Sequence, residues 1–300
     1  MDCVKPEFDR NRLGFSYPNV ANFTKSQWGC LQYLFVTYRV SLAVFQTCFW
    51  MMVMIGNALQ TKFIVDAVSV PQLTAFGYTF LTMFSIVTAA LAVEELLRPT
   101  SELPLAGVES AADPASEDNA DNEQNPPNPK NKLFYRHKFA WWTFVMAAPM
   151  APLITIGFFV FLFPKRKTDF NFLRDIVIHG TNSMVVFVEL AVNAIPVRVC
   201  HMLHPFIFGH VYILFTLFYW WTNEKTHIIY EDILDWNHPV KPIVMCLVGV
   251  YVALPLAYLL VFSCYKLRIF VFNRFSKRSN DARQKSHRDY MKLETTDEEQ

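Results

Sequence analysis

Six long runs of apolar residues constrain this chain more than any other feature of its sequence. A helix needs about 20 consecutive apolar residues to cross the hydrocarbon core of a bilayer. The runs cover residues 37–57, 73–93, 139–163, 176–197, 205–222 and 241–264. Because backbone groups in lipid must find their hydrogen bonds within the segment, and because these runs do not alternate with period two, each predicts a helix. The sequence therefore predicts an all-α, six-span transmembrane helix bundle, that is, an integral multi-pass membrane protein.

The distribution of basic residues predicts that both termini are cytosolic. Most of the 27 Lys and Arg residues fall on the side of the six spans that carries both termini, and the positive-inside rule assigns such a side to the cytosol. We predict a cytosolic N-terminal segment at 1–36, a six-helix membrane domain at 37–264 and a cytosolic tail at 265–300. Residues 98–132 are acidic and rich in Pro, Asn, Ser and Ala, which is typical of a disordered cytosolic loop.

The sequence carries no motif for a cofactor or for nucleic acid. It contains no Gly-rich phosphate-binding loop and no CxxC pair. His201 and His204 are too few for a metal site, which needs three or four convergent ligands. We therefore expect no cofactor, no metal and no nucleic-acid partner. Membrane lipids are the expected partners, with other membrane proteins as further candidates.

The fourth apolar run contains polar and ionisable residues that share one side of a helix. With His179 set at 0° and about 100° per residue, Asn182, Glu189 and Asn193 fall with it in an arc of roughly 80°. An ionisable group that faces lipid is costly, so this stripe is predicted to face other helices or a watery cavity. Arg39, at the start of the first run, is expected instead to extend its cation to the membrane surface.

A second polar stripe, made of hydroxyl groups, follows the second run. Thr74, Tyr78, Thr82 and Ser85 fall in a similar arc of roughly 80°. One interpretation is that both stripes supply hydrogen bonds between packed helices. Another is a buried site with a hydroxyl nucleophile and a histidine base, and a third is the lining of a transporter or channel. The periodicity alone leaves these interpretations open.

Three short motifs resemble the rolling stone family of multi-pass membrane proteins. They are Tyr38–Arg39 at the start of the first span, HGTNS at 179–183, and YWW…IIYEDILDWNHP at 219–239 before the last span. The resemblance covers about residues 30–265. It implies a role in cell–cell contact or in myoblast fusion, with which the founding member of the family is associated. It therefore also implies the plasma membrane rather than the endoplasmic reticulum.

The rolling stone family is distantly similar to the androgen-induced hydrolases, which cleave fatty-acid esters of hydroxy fatty acids inside the membrane. Those enzymes use a threonine and a histidine, and the similarity implies Thr82 in FLTMF and His179 in HGTN as their counterparts. As an alternative function, His179 would take the proton of the Thr82 hydroxyl, which attacks a lipid ester and forms an acyl-threonine. Asn182 would orient the imidazole or stabilise the oxyanion. The supporting polar groups would be Ser85, Glu189 and Asn193.

The predicted topology can be tested with epitope tags at the two termini. Because both ends are expected in the cytosol, antibodies should stain each tag only after the plasma membrane is permeabilised. A tag within the 223–239 connection, which is predicted to lie outside the cell, is the control and should stain in intact cells. Staining of either terminal tag in intact cells would contradict the prediction.

Overall fold

Helices make up most of the described chain, and six of its helical segments are long and apolar enough to cross a membrane. The computed structural model describes residues 14–29, 31–61, 71–98, 133–165, 172–222, 228–230 and 233–297. Within these ranges no strand is present. The predicted all-α, six-span fold is therefore confirmed.

The six spans are built from seven helices. The first three spans are α1 (Gln32–Ala58), α2 (Leu73–Leu97) and α3 (Tyr135–Gly157), which continues as a π-helical turn over Phe158–Leu162. The next two are α4 (Phe172–Val192) and α5 (Leu203–Thr222). The sixth begins as α6 (Val240–Val248), passes through a π-helical turn at Gly249–Ala253 and continues as α7 (Leu254–Asp297).

The sixth span has no break where the predicted cytosolic tail begins. Helix α7 runs on without interruption to Asp297, although basic residues become frequent after residue 264. Lys and Arg are good helix formers, so the loss of hydrophobicity does not end the helix. The cytosolic location of the tail stays a prediction. The predicted disordered loop covers residues 98–132. Its first residue, Arg98, is the C-cap of α2, and residues 99–132 lie outside the described residues.

The fourth span is shorter than predicted. The run at 176–197 predicted one helix, but α4 ends at Val192, and residues 194–198 have no regular secondary structure. Proline lacks an amide hydrogen and disfavours helical backbone in the residue before it, so Pro196 prevents the helix from continuing. Irregular backbone is tolerated at membrane depth when protein groups supply its hydrogen bonds. Here Trp141 donates to the Pro196 carbonyl at 2.8 Å, and Tyr258 donates to the Arg198 carbonyl at 2.6 Å.

The main core lies between α2, α3 and α4 and extends to the N-terminal segment. Phe84 of α2 and Phe144 of α3 pack with ring centroids 4.9 Å apart, beside the buried Val186 of α4. Phe23, which precedes the first span, packs 5.8 Å from the ring of Trp141. The segment 14–29 therefore covers one end of the bundle. The C-terminal part of the sixth span extends from the same end. We call this end of the bundle the terminal side.

The motif before the last span fixes the beginning of α2 on the opposite side. The Leu73 amide donates to the Tyr230 hydroxyl at 3.0 Å, and Tyr212 donates to the Pro71 carbonyl at 3.0 Å. Burial raises the pKa of Tyr230 to about 12. This side of the bundle is thus also held by part-buried hydrogen bonds.

Gly77 of α2 leaves room for the Ile154 side chain of α3, which yields a stability prediction. A Cβ at Gly77 would lie 2.8 Å from Ile154 Cδ1. Gly77→Leu should therefore lower the melting temperature in lipid nanodiscs, because overpacking costs about 1–3 kcal/mol. Gly157→Leu is the matched control, since nothing lies within 4 Å of a Cβ there. Adding Ile154→Ala should restore part of the stability lost in Gly77→Leu. Equal melting temperatures for the two glycine variants would contradict this packing.

Candidate functional site

A fully buried ion pair joins α1 to α4. The Arg39 Nη1 atom lies 2.6 Å from Glu189 Oε2, and the two side chains are 1% and 0% exposed. The expectation that Arg39 extends to the membrane surface is therefore wrong: its cation turns into the bundle, where Glu189 supplies the opposite charge. Taking both charges out of water is costly, and their attraction offsets that cost only when further hydrogen bonds complete the geometry.

Polar neighbours supply those hydrogen bonds. Tyr38 donates its phenol hydrogen to Glu189 Oε1 at 2.7 Å, and Asn193 donates from Nδ2 to Glu189 Oε2 at 3.1 Å. Arg39 Nη1 also donates to Thr88 Oγ1 of α2 at 3.5 Å. Both carboxylate oxygens of Glu189 are thus hydrogen-bonded. The pair and its neighbours tie α1, α2 and α4 together at one depth.

A second buried cation, Arg268 of α7, lies at the end of α4. Its Nη1 atom donates to the Leu190 carbonyl at 3.1 Å, to the Asn193 carbonyl and to Asn193 Oδ1 at 3.0 Å. Its Nη2 atom donates to the Ile195 carbonyl at 3.2 Å. A cation is favourable there because the helix dipole leaves partial negative charge at the C-terminus. Asn193 thus connects Glu189 to Arg268, and the polar network reaches α7.

The N-terminal segment satisfies the remaining carbonyls at the end of α4. The last carbonyl groups of a helix have no partner within the helix itself. Trp28 Nε1 donates to the Ala191 carbonyl at 2.6 Å. The Gln27 amide and the Ser26 hydroxyl donate to the Val192 carbonyl at 3.2 and 3.1 Å. Together with Arg268, this segment therefore satisfies all the carbonyls from Leu190 to Asn193.

The hydroxyl stripe of α2 faces the other helices, and its members bind backbone carbonyls. Tyr78 donates to the Ile178 carbonyl of α4 at 2.5 Å. Thr82, which is 5% exposed, donates to the Gln46 carbonyl of α1 at 3.4 Å. Ser85 donates within its own helix, to the Leu81 carbonyl at 2.9 Å. The bonds of Tyr78 and Thr82 are hydrogen bonds between packed helices, as the first interpretation of the stripe predicts.

The polar stripe of α4 is buried, but its histidine lies against α3. The His179 ring, 2% exposed, stacks on Phe158 with centroids 3.6 Å apart and an interplanar angle of 12°. Thr155 of α3 donates to the His179 carbonyl at 2.5 Å. Thr82 faces α1, whereas the His179 ring lies on α3. The assignment of these two residues as nucleophile and base stays a prediction.

Asp175 is a candidate that sequence reasoning missed. This carboxylate is 2% exposed and lies in the first turn of α4. Residues four apart on a helix share one face, so Asp175 lies next to His179. A carboxylate beside a histidine can fix which ring nitrogen carries the proton. The DxxxH spacing of Asp175 and His179 could have indicated this pair from the sequence. It was missed because Asp175 lies just outside the apolar run at 176–197.

Two buried side-chain amides complete the polar interior. Gln46 of α1 is 0% exposed and Asn182 of α4 is 1% exposed. Within the described ranges, neither the nitrogen nor the oxygen of either amide has a hydrogen-bond partner. Asn182 was predicted from the stripe, whereas Gln46 was missed. The sequence signal for Gln46 was an amide in an otherwise apolar run, seven residues after Arg39.

No group of three or more His, Cys, Asp and Glu residues that could hold a metal ion occurs in the described part of the chain.

Comparison with known proteins identifies the family. A family model described as "Protein rolling stone" matches residues 128–281, slightly more than half of the chain. This chain belongs to the rolling stone family. The curated protein called "Protein rolling stone" from Drosophila melanogaster is 27% identical over 277 residues, which cover 89% of this chain and 90% of that protein. No solved structure matches this rolling stone family member.

Removal of the Arg268 guanidinium gives a direct test of the end of α4. Arg268→Met should destabilise the protein by about 1–3 kcal/mol for each buried carbonyl that is left without a donor. The measurement is the free energy of unfolding in lipid nanodiscs. Arg274→Met, in an exposed position of the same helix, is the matched control and should change little. If the two variants were equally stable, Arg268 would not hold the end of α4.

Proposed function

We propose that this rolling stone family member acts at the plasma membrane in cell–cell contact or fusion. The observation that carries the proposal is the similarity to Drosophila rolling stone over 89% of the chain. The resemblance in the motifs at Tyr38–Arg39, 179–183 and 219–239 adds the expectation of a role in myoblast fusion.

The short connections between spans determine how such a function would work. On the side opposite the terminal side, the connections run from Ala58 to Leu73, from Leu162 to Phe172 and from Thr222 to Val240. Each is too short to form a folded domain of its own, since domains have typically 50 or more residues. A function in contact or fusion would therefore act through the bilayer, through these short connections or through partner membrane proteins.

A content-mixing assay between two cell populations tests this proposal. Cells that carry the wild-type chain should exchange a cytosolic reporter more often than cells without it. Glu189→Lys should abolish the gain, because it places a third cation beside Arg39 and Arg268 in the bundle. Leu214→Ala, at a lipid-facing position that is 64% exposed, is the control and should keep the gain.

Surface expression of every variant is measured through an epitope tag, so that a loss of mixing is compared at equal surface density. If the wild-type chain reaches the cell surface and the reporter exchanges no more often than without it, the proposed function is wrong.

An intramembrane lipid-ester hydrolase is the second candidate. The observation that favours it is the buried Asp175 one turn before the buried His179, an arrangement that suits a general base. In this reaction His179 would accept the Thr82 proton as Thr82 Oγ bonds to the ester carbonyl carbon. The alcohol then leaves with a proton, and water releases the acid from the acyl-threonine.

Covalent labelling with a fluorophosphonate probe tests the second candidate. An activated Thr82 should be labelled in membranes, and both Thr82→Ala and His179→Ala should remove the labelling. Ser263→Ala is the control, because this exposed hydroxyl donates within its own helix, to the Leu259 carbonyl at 2.7 Å. Unlabelled wild-type protein at normal expression would leave the hydrolase without support.

A further inference from the structure

Gln46 and Asn182 pose a physical problem that the ion-pair network does not solve. Their side chains are 0% and 1% exposed, and all four of their amide atoms lack a hydrogen-bond partner in the described part of the chain. A buried polar group without a partner costs about 1–3 kcal/mol. By contrast, the equally buried Asn193 amide donates to Glu189 at 3.1 Å. The amides of Gln46 and Asn182 therefore require a group from outside the described protein.

Helix geometry places these two amides opposite each other. Gln46 follows Arg39 by seven residues on α1, and Asn182 precedes Glu189 by seven residues on α4. Seven residues make about two turns, or about 10 Å of helix, so each amide lies on the same face as its charged neighbour. The two helices run in opposite directions, since Val53 and Ile178 share a cluster farther along. Gln46 and Asn182 therefore face each other as Arg39 and Glu189 do.

Side-chain length explains why the amides do not meet. Arg39 and Glu189 are long enough together to close to 2.6 Å. Gln is shorter than Arg and Asn is shorter than Glu, and the two amides make no hydrogen bond with each other. Thr82 lies at this depth as well, because its hydroxyl contacts the Gln46 carbonyl at 3.4 Å. The geometry thus assembles two amides and a hydroxyl from three helices.

We propose that Gln46, Asn182 and Thr82 bind a neutral hydroxyl group inside the bundle. A hydroxyl both donates and accepts, so it can donate to one amide oxygen and accept from the other amide nitrogen. The ligand is neutral because an added charge in this apolar interior would need a counter-charge. Arg39 and Glu189 already neutralise each other, and the Arg268 cation is bound by the carbonyls at the end of α4. Two sources carry this chemistry: water, or the free hydroxyl of a membrane lipid. The site does not require that the protein be an enzyme or act in fusion.

Magnetisation transfer distinguishes water from lipid in the wild-type protein. The full chain is labelled with ¹⁵N at the side chains of Asn and Gln and placed in nanodiscs, and solid-state NMR measures transfer to the side-chain NH₂ groups. Bound water should give transfer from the water signal to Gln46 and Asn182. The Asn193 amide, which has a protein acceptor, is the internal reference and should receive less. Signals are assigned from Gln46→Leu and Asn182→Leu.

A matched pair of photoreactive lipids tests the lipid source. The probes are a diazirine-bearing diacylglycerol, which has a free hydroxyl, and its acetylated derivative, which has none. If the lipid hydroxyl is the ligand, only the first probe should label residues next to Gln46 or Asn182. Loss of these hydrogen bonds in Gln46→Leu or Asn182→Leu should reduce labelling about tenfold. Leu214→Ala, on the lipid-facing surface, should leave it unchanged.

The two measurements together decide the proposal. Water transfer to both amides supports a water-filled site, and hydroxyl-dependent labelling supports a lipid site. If neither water transfer nor hydroxyl-dependent labelling is found for the wild-type protein, the proposal is overturned. This outcome does not depend on the stability of a variant, because both experiments are read first on the wild-type chain. The content-mixing and fluorophosphonate assays are separate, so failure of either proposed function leaves the result intact.

Discussion

The buried attraction between Arg39 and Glu189 determines how the first, second and fourth spans are arranged. A charge in the hydrocarbon region is expensive unless it is paired within the protein. This requirement places the α1 cation opposite the α4 carboxylate at 2.6 Å, with Thr88 of α2 beside it. The depth of each helix relative to the others is thereby fixed. The positions of Gln46, Thr82 and Asn182, two turns deeper, follow from that register.

The same network stabilises the end of α4 inside the bundle. Asn193 bonds to Glu189 through its nitrogen and to Arg268 through its oxygen, so α1, α4 and α7 share one chain of hydrogen bonds. Arg268 brings a second cation into the interior. The carbonyls at the end of α4 and the helix dipole stabilise this cation. The segment at 26–28 completes the arrangement, and the N-terminal part of the chain therefore belongs to the structural core of the terminal side.

The six spans could be predicted because the number of consecutive apolar residues decides whether a helix can cross a bilayer. The inward-facing stripe could be predicted because ionisable side chains such as His179 and Glu189 are too costly in contact with lipid. The partner of Arg39 could not be predicted, since periodicity within one helix does not reveal which distant segment lies opposite. The end of α4 was hidden because residues 194–197 are as apolar as the helix before them, although Pro196 was a local signal. Gln46 was overlooked because a single amide in an apolar run forms no periodic pattern. It lies about two turns from Arg39 on the same face of α1, and the sequence did not show that Arg39 faces the bundle interior.

A double-mutant cycle on Arg39 and Glu189 tests the central role of the ion pair most directly. The free energy of unfolding is measured in lipid nanodiscs for the wild type, Arg39→Met, Glu189→Met and the double variant. Each single change should cost about 3–5 kcal/mol because it leaves an unpaired buried charge. The double variant, which removes both charges, should cost clearly less than the sum of the two. Additivity of the single effects to within about 0.5 kcal/mol would mean that the two residues act independently, and it would contradict the account.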